Sequence, residues 1–527
     1  MEPALEQIIS RLKQIRTDLH DLMMEGDVRR YQVYTVEHEE EQKELLSAAT
    51  KGDRTKVVSA ALDLIKEPDE QDVLFQLFLY SYLLHLEENP EYAVKICELA
   101  ETERFSAEQR LFLFHQLKHF FWHHPEAGNT PLLHKLYLSV LHEWKHKMAD
   151  ILTPIRSENR NRGLIVVITL QFLNRGHAPT KTALERIYTI GALLHNDVIC
   201  INSREQYTLK GFLPIFDPIG RMIEKDYDGV HTTSHNDFSF ALIQPETEMP
   251  DEEMVRVLLE EIRNLAPWKV VVCGDRCLLG DLCAEMIPTI DIPMVFSTIP
   301  KVERGYSAVG RTLSASEKSD LAAKGYNPDS IIESVFTFEL IPQTSILTKE
   351  QLQLPNDRFL LGIIGIRLDA DVSKDFLETV LTCVNDGIHL VFAGKFDGYE
   401  RLCNEVEGLS EHSTFVGFQK DILALWDLLD LYINPPRLGG GFSVAEAFSK
   451  GKPGICLQRG DVAASAGPDF CVDSLQEYPA LIRKYITDHD FYNEMSRKAL
   501  KRSERLFDSG GEMEKILLEM EKRDLWF

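Results

Sequence analysis

Three consecutive glycines, Gly439 to Gly441, separate an apolar run (Leu425 to Ile433) from a helix-forming segment that carries Glu446. The full stretch reads Asn434-Pro-Pro-Arg-Leu-Gly-Gly-Gly-Phe-Ser-Val-Ala-Glu446. A buried strand that ends in glycines and opens into a helix constrains the fold to an α/β layer arrangement. The same geometry brings bare backbone N–H groups and the positive helix end close to an anion. A carboxylate in that helix repels phosphate and suits a different part of the ligand, such as a sugar hydroxyl. Phosphate and ribose together imply a nucleotide. A lone glycine triplet is equally a tight strand-to-helix turn with no ligand, so the surrounding residues decide between the readings.

Those residues form an ordered series. Leu360-Leu-Gly-Ile-Ile-Gly-Ile-Arg367 reads as a strand ending in Gly-x-Arg, and Lys374 follows seven residues on. His389-Leu-Val-Phe-Ala-Gly394 reads as a second strand, and Phe415-Val-Gly-Phe-Gln419 as a strand end and loop. The glycine loop with Phe442, Ser443 and Glu446 comes last. In order and spacing the series resembles the donor half of GT-B glycosyltransferases, particularly bacterial retaining enzymes of the family 4 type. The resemblance implies that Arg367 and Lys374 hold the donor diphosphate and act as catalytic groups. It implies further that the backbone around Phe418 and Gln419 reads the base, that Gly439, Gly440 and Gly441 bind phosphate, and that Glu446 binds the ribose.

One position departs from the family pattern. The family carries a second glutamate ahead of the glycine loop, and here Leu438 stands there beside Arg437. Arg437 is expected to supply positive charge to the diphosphate instead.

Net charge narrows the partners. At a formal −26 over 527 residues, nonspecific nucleic-acid binding and bulk docking on anionic lipid are disfavoured. No apolar run reaches eighteen residues, and the start is acidic and helical, unlike a signal peptide. Nine cysteines, an odd number scattered through apolar runs, suit a reduced, cytoplasmic setting. Cys273, Cys277 and Cys283 lack paired metal spacing and read as core.

The chain divides into three expected domains. Residues 1–155 are helical by periodicity, with segments at Asp72–His85, Pro90–Ala100, Phe105–His119 and Pro131–Lys147, preceded by a lead-in from Leu5 to Tyr34 and the Glu39–Glu41 cluster. No fixed-period repeat stands out, and the domain's expected role is acceptor docking or homo-oligomerisation. His115, His119 and His123 share one helical face, but their aromatic neighbours point to packing rather than a metal.

Residues 156–340 read as a Rossmann-like acceptor-side domain. Its strands are Gly163–Leu170, Asp197–Asn202, Trp268–Gly274 and Pro293–Phe296. The loop from Gln171 to Thr180 lies at a strand's carboxyl end, where ligands gather, and leads into a helix expected near Lys181 with Thr180 as its cap. His177 on that loop is the candidate to orient a hydroxyl or act as a base, against the plainer reading of a loop histidine bonded to a carbonyl. His231, His235 and Asp237 read as part of a hairpin or acceptor-side loop, and Asp275 and Asp281 as further strand-end candidates. Residues 341–527 form the nucleotide-sugar domain, closed by helices at Leu475–Asp488, Phe491–Glu504 and Met513–Trp526, with Asp461 near the donor sugar.

The expected fold is therefore α/β, two Rossmann-like domains with an N-terminal all-α domain. The activity implied by the resemblance is hexosyl transfer from a nucleotide-diphosphate sugar, such as a UDP-sugar, to a glycan or protein acceptor. Retention of configuration rests on the resemblance alone. No cofactor and no essential metal are expected, Asp369-Ala-Asp371 being read as loop residues, with a Mg²⁺ contact as the alternative reading of that pair. A nucleotide-sugar epimerase and a non-catalytic partner subunit are the alternatives.

Overall fold

The computed structural model describes residues 2–25, 45, 47, 54–65, 72–87, 89–102, 104–124, 130–175, 177–205, 224–294 and 299–523. The Glu39–Glu41 cluster, Phe296 and Trp526 lie outside them. The chain forms two compact units, one of Met1–Lys181, Asp197–Val272 and Arg276–Thr289, the other of Thr182–Asn196, Cys273–Asp275 and Ile290–Phe527.

The first unit begins with helices Glu2–Glu25, Arg54–Asp63, Val73–Glu87, Pro90–Ala100, Ala107–His123 and Thr130–Lys147. Helix Val73–Glu87 is apolar nearly all round and buries eleven residues, as a helix enclosed by others requires. Asn89 caps the helix that starts at Pro90, accepting from Glu91 N at 3.0 Å. Ser106 and Gln109 form a reciprocal capping box at Ala107, which satisfies two otherwise orphaned donors. His115 is buried in that helix, and among the described residues no group of three or more His, Cys, Asp or Glu is placed to hold a metal.

Five strands follow: β1 (Asn161–Thr169), β2 (Asp197–Asn202), β3 (Gly229–His235), β4 (Phe238–Gln244) and β5 (Pro267–Cys273), in the order β3-β4-β2-β1-β5. β1, β2 and β4 run parallel, and β3 folds back antiparallel on β4. Leu164 to Ile168 are buried without interruption, the continuous apolar strand that a sheet covered on both faces demands. The polar stretch around His231 and His235 is thus a hairpin, turned at Asn236 and Asp237, which both have positive φ.

In the second unit β6 (Thr289–Ile292), β7 (Tyr306–Val309) and β8 (Ile331–Glu333) lie side by side, β7 parallel to both neighbours. Of the strand expected at Pro293–Phe296, Pro293 and Met294 lie just past the end of β6, since Pro293 has no N–H to give a ladder; Val295 and Phe296 lie outside the described residues. A six-stranded parallel sheet follows, made of β9 (Phe359–Gly365), β10 (Ile388–Gly394), β11 (Ser413–Phe415), β12 (Leu431–Ile433), β13 (Gly454–Leu457) and β14 (Cys471–Val472). Its order is β11-β10-β9-β12-β13-β14. Helices Tyr478–Thr487, His489–Leu506 and Ser509–Lys522 close the unit. The last of these packs on β7 and β8: Tyr306 OH donates to Met520 O at 3.2 Å, and Glu512 accepts from Val335 N at 3.1 Å.

Candidate nucleotide site

The carboxyl ends of β9, β10, β11 and β12 meet along one edge of the six-stranded sheet. Gly365 and Gly394 are register partners on β9 and β10, and Gly394 N donates to Gly417 O at 3.0 Å beyond β11. A Cβ on Gly394, whose φ is +123°, would stand 1.9 Å from the Gly365 carbonyl oxygen. Only glycine allows strand ends this close. This edge collects Arg367 after β9, Phe418 and Gln419 after β11, and the glycine loop after β12, which pairs with β9 at Leu431 and Tyr432.

Asn434 organises the glycine loop. It is 1% exposed, and its Nδ2 donates to Pro435 O at 3.0 Å and to Gly439 O at 3.3 Å. Its Oδ1 accepts from Tyr432 OH at 2.6 Å and from Arg437 Nε at 2.9 Å. Gly440 has φ +106°, and a Cβ there would lie 2.4 Å from Asn434 Oδ1. The loop therefore requires glycine on both conformational and steric grounds. Gly440 is the N-cap of helix Gly441–Ser449, and no side chain caps that helix. Its first turn thus presents the partial positive charge and open N–H groups that suit an anion.

Glu446 lies in the second turn of this helix. It is 9% exposed, and its carboxyl has no hydrogen-bond or ion-pair partner among the described residues. Burial pushes its pKa up to about 8, because desolvation disfavours the charged form and nothing nearby offsets it. The residue as a whole is enclosed, yet its carboxyl oxygens are not among the fully enclosed polar atoms that lack a partner, so they keep contact with solvent and stand open to an outside donor.

The remaining candidates fall into two groups. Arg367 is exposed, and its guanidinium makes no side-chain bond among the described residues. Phe418 is 71% exposed, whereas the Gln419 side chain folds back to donate to Val416 O at 2.5 Å. Phe442 stacks at a tilt on Phe338, with centroids 5.2 Å apart, and Ser443 is half-buried. Lys374 begins helix Lys374–Leu381 and lies 3.5 Å from Glu378 on its own helix face.

Arg437 is engaged differently from the expectation of a free phosphate ligand. Its side chain is 8% exposed and pairs with Asp371, Nη1 to Oδ2 at 2.9 Å, while Nη2 donates to Ile364 O at 2.7 Å. With Nε on Asn434, the fork is committed to protein partners. The other member of the aspartate pair, Asp369, accepts from Asp397 N at 3.0 Å and Gly398 N at 2.5 Å. Asp369 and Asp371, expected in a loop, lie in the short helix Leu368–Asp371, and nothing in their spacing points to Arg437; Tyr432 carries no motif signal, and Asn434 shows only as the polar residue that ends the apolar run.

In the first unit, His177 precedes a helix that starts at Ala178, three residues before the expected start. Its Nδ1 lies 3.1 Å from Thr180 Oγ1, which in turn accepts from Leu173 N at 2.8 Å. Thr180 thus closes the loop from inside the helix rather than capping it. Burial holds the His177 pKa below its ordinary value, so the ring is neutral at pH 7. Asp281 bonds the Tyr137 hydroxyl, and His231 Nε2 lies 2.6 Å from Asp228 O. In the second unit Asp275 accepts from Lys301 N at 3.2 Å. Cys273, Cys277 and Cys283 are all buried.

No protein-family model matches the chain, and no curated protein matches it. Solved structures do. A glycosyltransferase from Rickettsia africae ESF-5 shares 12% identity over 68% of this chain and 98% of its own, with a TM-score of 0.46. Anabaena HepE in complex with UDP shares 12% identity over 68% and 99%, with a TM-score of 0.47. A mutant O-GlcNAc transferase from Thermobaculum terrenum shares 14% identity over 92% and 97%, with a TM-score of 0.45. At these scores they stand as likenesses only, and the functional reading rests on the residues.

Proposed function

We propose that this protein is a glycosyltransferase that takes a nucleotide-diphosphate sugar and moves the sugar to a glycan or protein acceptor, in bacterial surface-glycan or glycoprotein synthesis. The observation that carries this is Glu446, a buried carboxyl without a partner on a helix whose first turn is uncapped. The pair supplies what a nucleotide needs: open N–H groups for phosphate and an acceptor for ribose hydroxyls. Arg367, whose guanidinium has no partner among the described residues, stands on the same sheet edge. Departure of the sugar leaves negative charge on the diphosphate, and donors already aimed at that charge lower the barrier. Phe418 and the backbone beside it face the base. His177 serves the acceptor side as a hydrogen-bonding group or base. Retention, hexosyl transfer, a UDP donor, independence of metal and a cytoplasmic location belong to the same proposal. So does the helical region of residues 1–155 as an acceptor dock or oligomer contact. Among the described residues, no helix is long and apolar enough to cross a membrane.

The test is a calorimetric panel of UDP, GDP, ADP, TDP and CMP against wild type and Glu446→Ala. Binding of one nucleotide, lost in the variant, supports the proposal and names the base. No binding by any of them sinks it and leaves a partner-subunit role as the better reading.

A further inference from the structure

The buried arginine of the glycine loop joins two segments that are far apart in sequence. Arg367 O accepts from Asp371 N at 3.0 Å, closing the turn after β9. The Asp371 carboxylate then pairs with Arg437, Arg437 Nε donates to Asn434 Oδ1, and Asn434 Nδ2 donates to the Gly439 carbonyl. One unbroken line of bonds thus runs from the backbone of Arg367 to the residue before Gly440. Arg437 Nη2, on Ile364 O, pins the same guanidinium to β9 itself. The fit is close: a Cβ on Gly365 would stand 2.5 Å from Arg437 Nη1. Both partners are shielded, at 8% and 10% exposure, so removing either one leaves the other an uncompensated buried charge.

We propose that Arg437 and Asp371 are positioning residues that hold the Arg367 turn and the glycine loop in register as a single diphosphate-binding surface. Arg437 does so without touching the ligand. The inference rests on the nucleotide reading above and goes beyond it by assigning the pair to the diphosphate rather than to the base or ribose. Its consequence is energetic coupling: Arg367 reaches the diphosphate only while the pair is intact. Residues linked through one bond network give non-additive double mutants, whereas independent ones add.

The test is calorimetry with UDP and UMP, and with the GDP–GMP and ADP–AMP pairs, on the full chain. Wild type, Arg367→Ala, Asp371→Asn and the double variant form the cycle. The expected result is that Asp371→Asn lowers the diphosphate-over-monophosphate preference about tenfold, the loss of one charge-assisted contact. Arg367→Ala should lower it equally, and the double variant no further. Gly365→Ala provides a second route, since it displaces the guanidinium while keeping both charges, and it should reproduce the loss. The inference is overturned if diphosphate and monophosphate affinities fall together, or if the two substitutions add. If wild type binds none of these nucleotides, the site reading fails and takes the inference with it. Inorganic pyrophosphate bound normally by Asp371→Asn would overturn the inference alone.

Discussion

Glu205 and Glu446 are both buried glutamates associated with helix N-termini, and they are opposites. Glu205 sits beyond β2 and caps helix Leu278–Cys283, accepting from Leu278 N at 2.6 Å and Leu279 N at 2.9 Å. The Cys277 thiol adds a third donor at 3.4 Å. Glu446 lies inside its helix, which is left uncapped, and its carboxyl meets no donor. Burial raises the pKa of both, so titration alone does not separate them. Satisfaction does. The first carboxyl uses a helix end to hold the fold, while the second leaves a helix end and its own oxygens for something outside the chain. A perturbed carboxyl becomes a site candidate only when the protein gives it no partner.

The largest expected effect is on pH-dependent stability. Glu446 has a folded pKa above its unfolded value, so the folded state holds a proton that the unfolded chain releases. Its contribution is fully present below pH 4.5 and is lost as pH rises through about 8. Wild type should therefore lose on the order of 4 kcal/mol relative to Glu446→Gln across that window. Denaturant titrations of both proteins from pH 4.5 to 8.5 measure it, and parallel curves would break the comparison. Next in size is Glu205→Ala, which orphans two buried N–H groups and should cost about 3 kcal/mol at pH 7. Chemical denaturation checks this, and a loss below about 1 kcal/mol would remove its structural role.

Ligand binding should have a smaller effect, through the Glu446 proton. Ribose hydroxyls donate best to an ionised carboxylate, so nucleotide binding at pH 7 should release up to about one proton and tighten toward pH 8. Calorimetry in buffers of different ionisation enthalpy detects the proton, and identical heats in all buffers would argue against Glu446 as the ribose contact. The smallest expected change is in Arg367→Ala. An exposed guanidinium without partners among the described residues should alter unfolding free energy by less than about 0.5 kcal/mol. A melting-temperature drop of several degrees would show that Arg367, like Arg437, is used by the fold.

Local pattern carried much of this molecule. The unbroken apolar runs of β1, β2, β9 and β10 were legible as parallel strands because burial on both faces leaves no room for polar residues. The helical start showed itself through its period, and the polar stretch around His231 and His235 was consistent with a hairpin or a loop, of which the structure shows the hairpin. Boundaries slipped where a backbone detail ruled, as at Pro293 and at Ala178, where the helix starts three residues early. At the site, the glycine run followed by a carboxylate was legible because each glycine answers a local requirement of φ or space.

Residue identity and order place the chemical groups at the strand ends: a glycine loop, a free-standing helix start, Glu446 and two arginines. They do not set which arginine faces outward. Arg367 and Arg437 are alike in isolation, and Arg437 sits nearer the glycines. Long-range packing separates them, because Asp371, 66 residues away in sequence, and the bare backbone of Gly365 create a buried slot that Arg437 fills. Lys374 with Glu378 and Gln419 with Val416 are local pairs, four and three residues apart, whereas the buried Arg437–Asp371 pair depends on what a distant segment brings to the same place. Local sequence sets a side chain's chemistry, but long-range packing sets whether that chemistry is already satisfied.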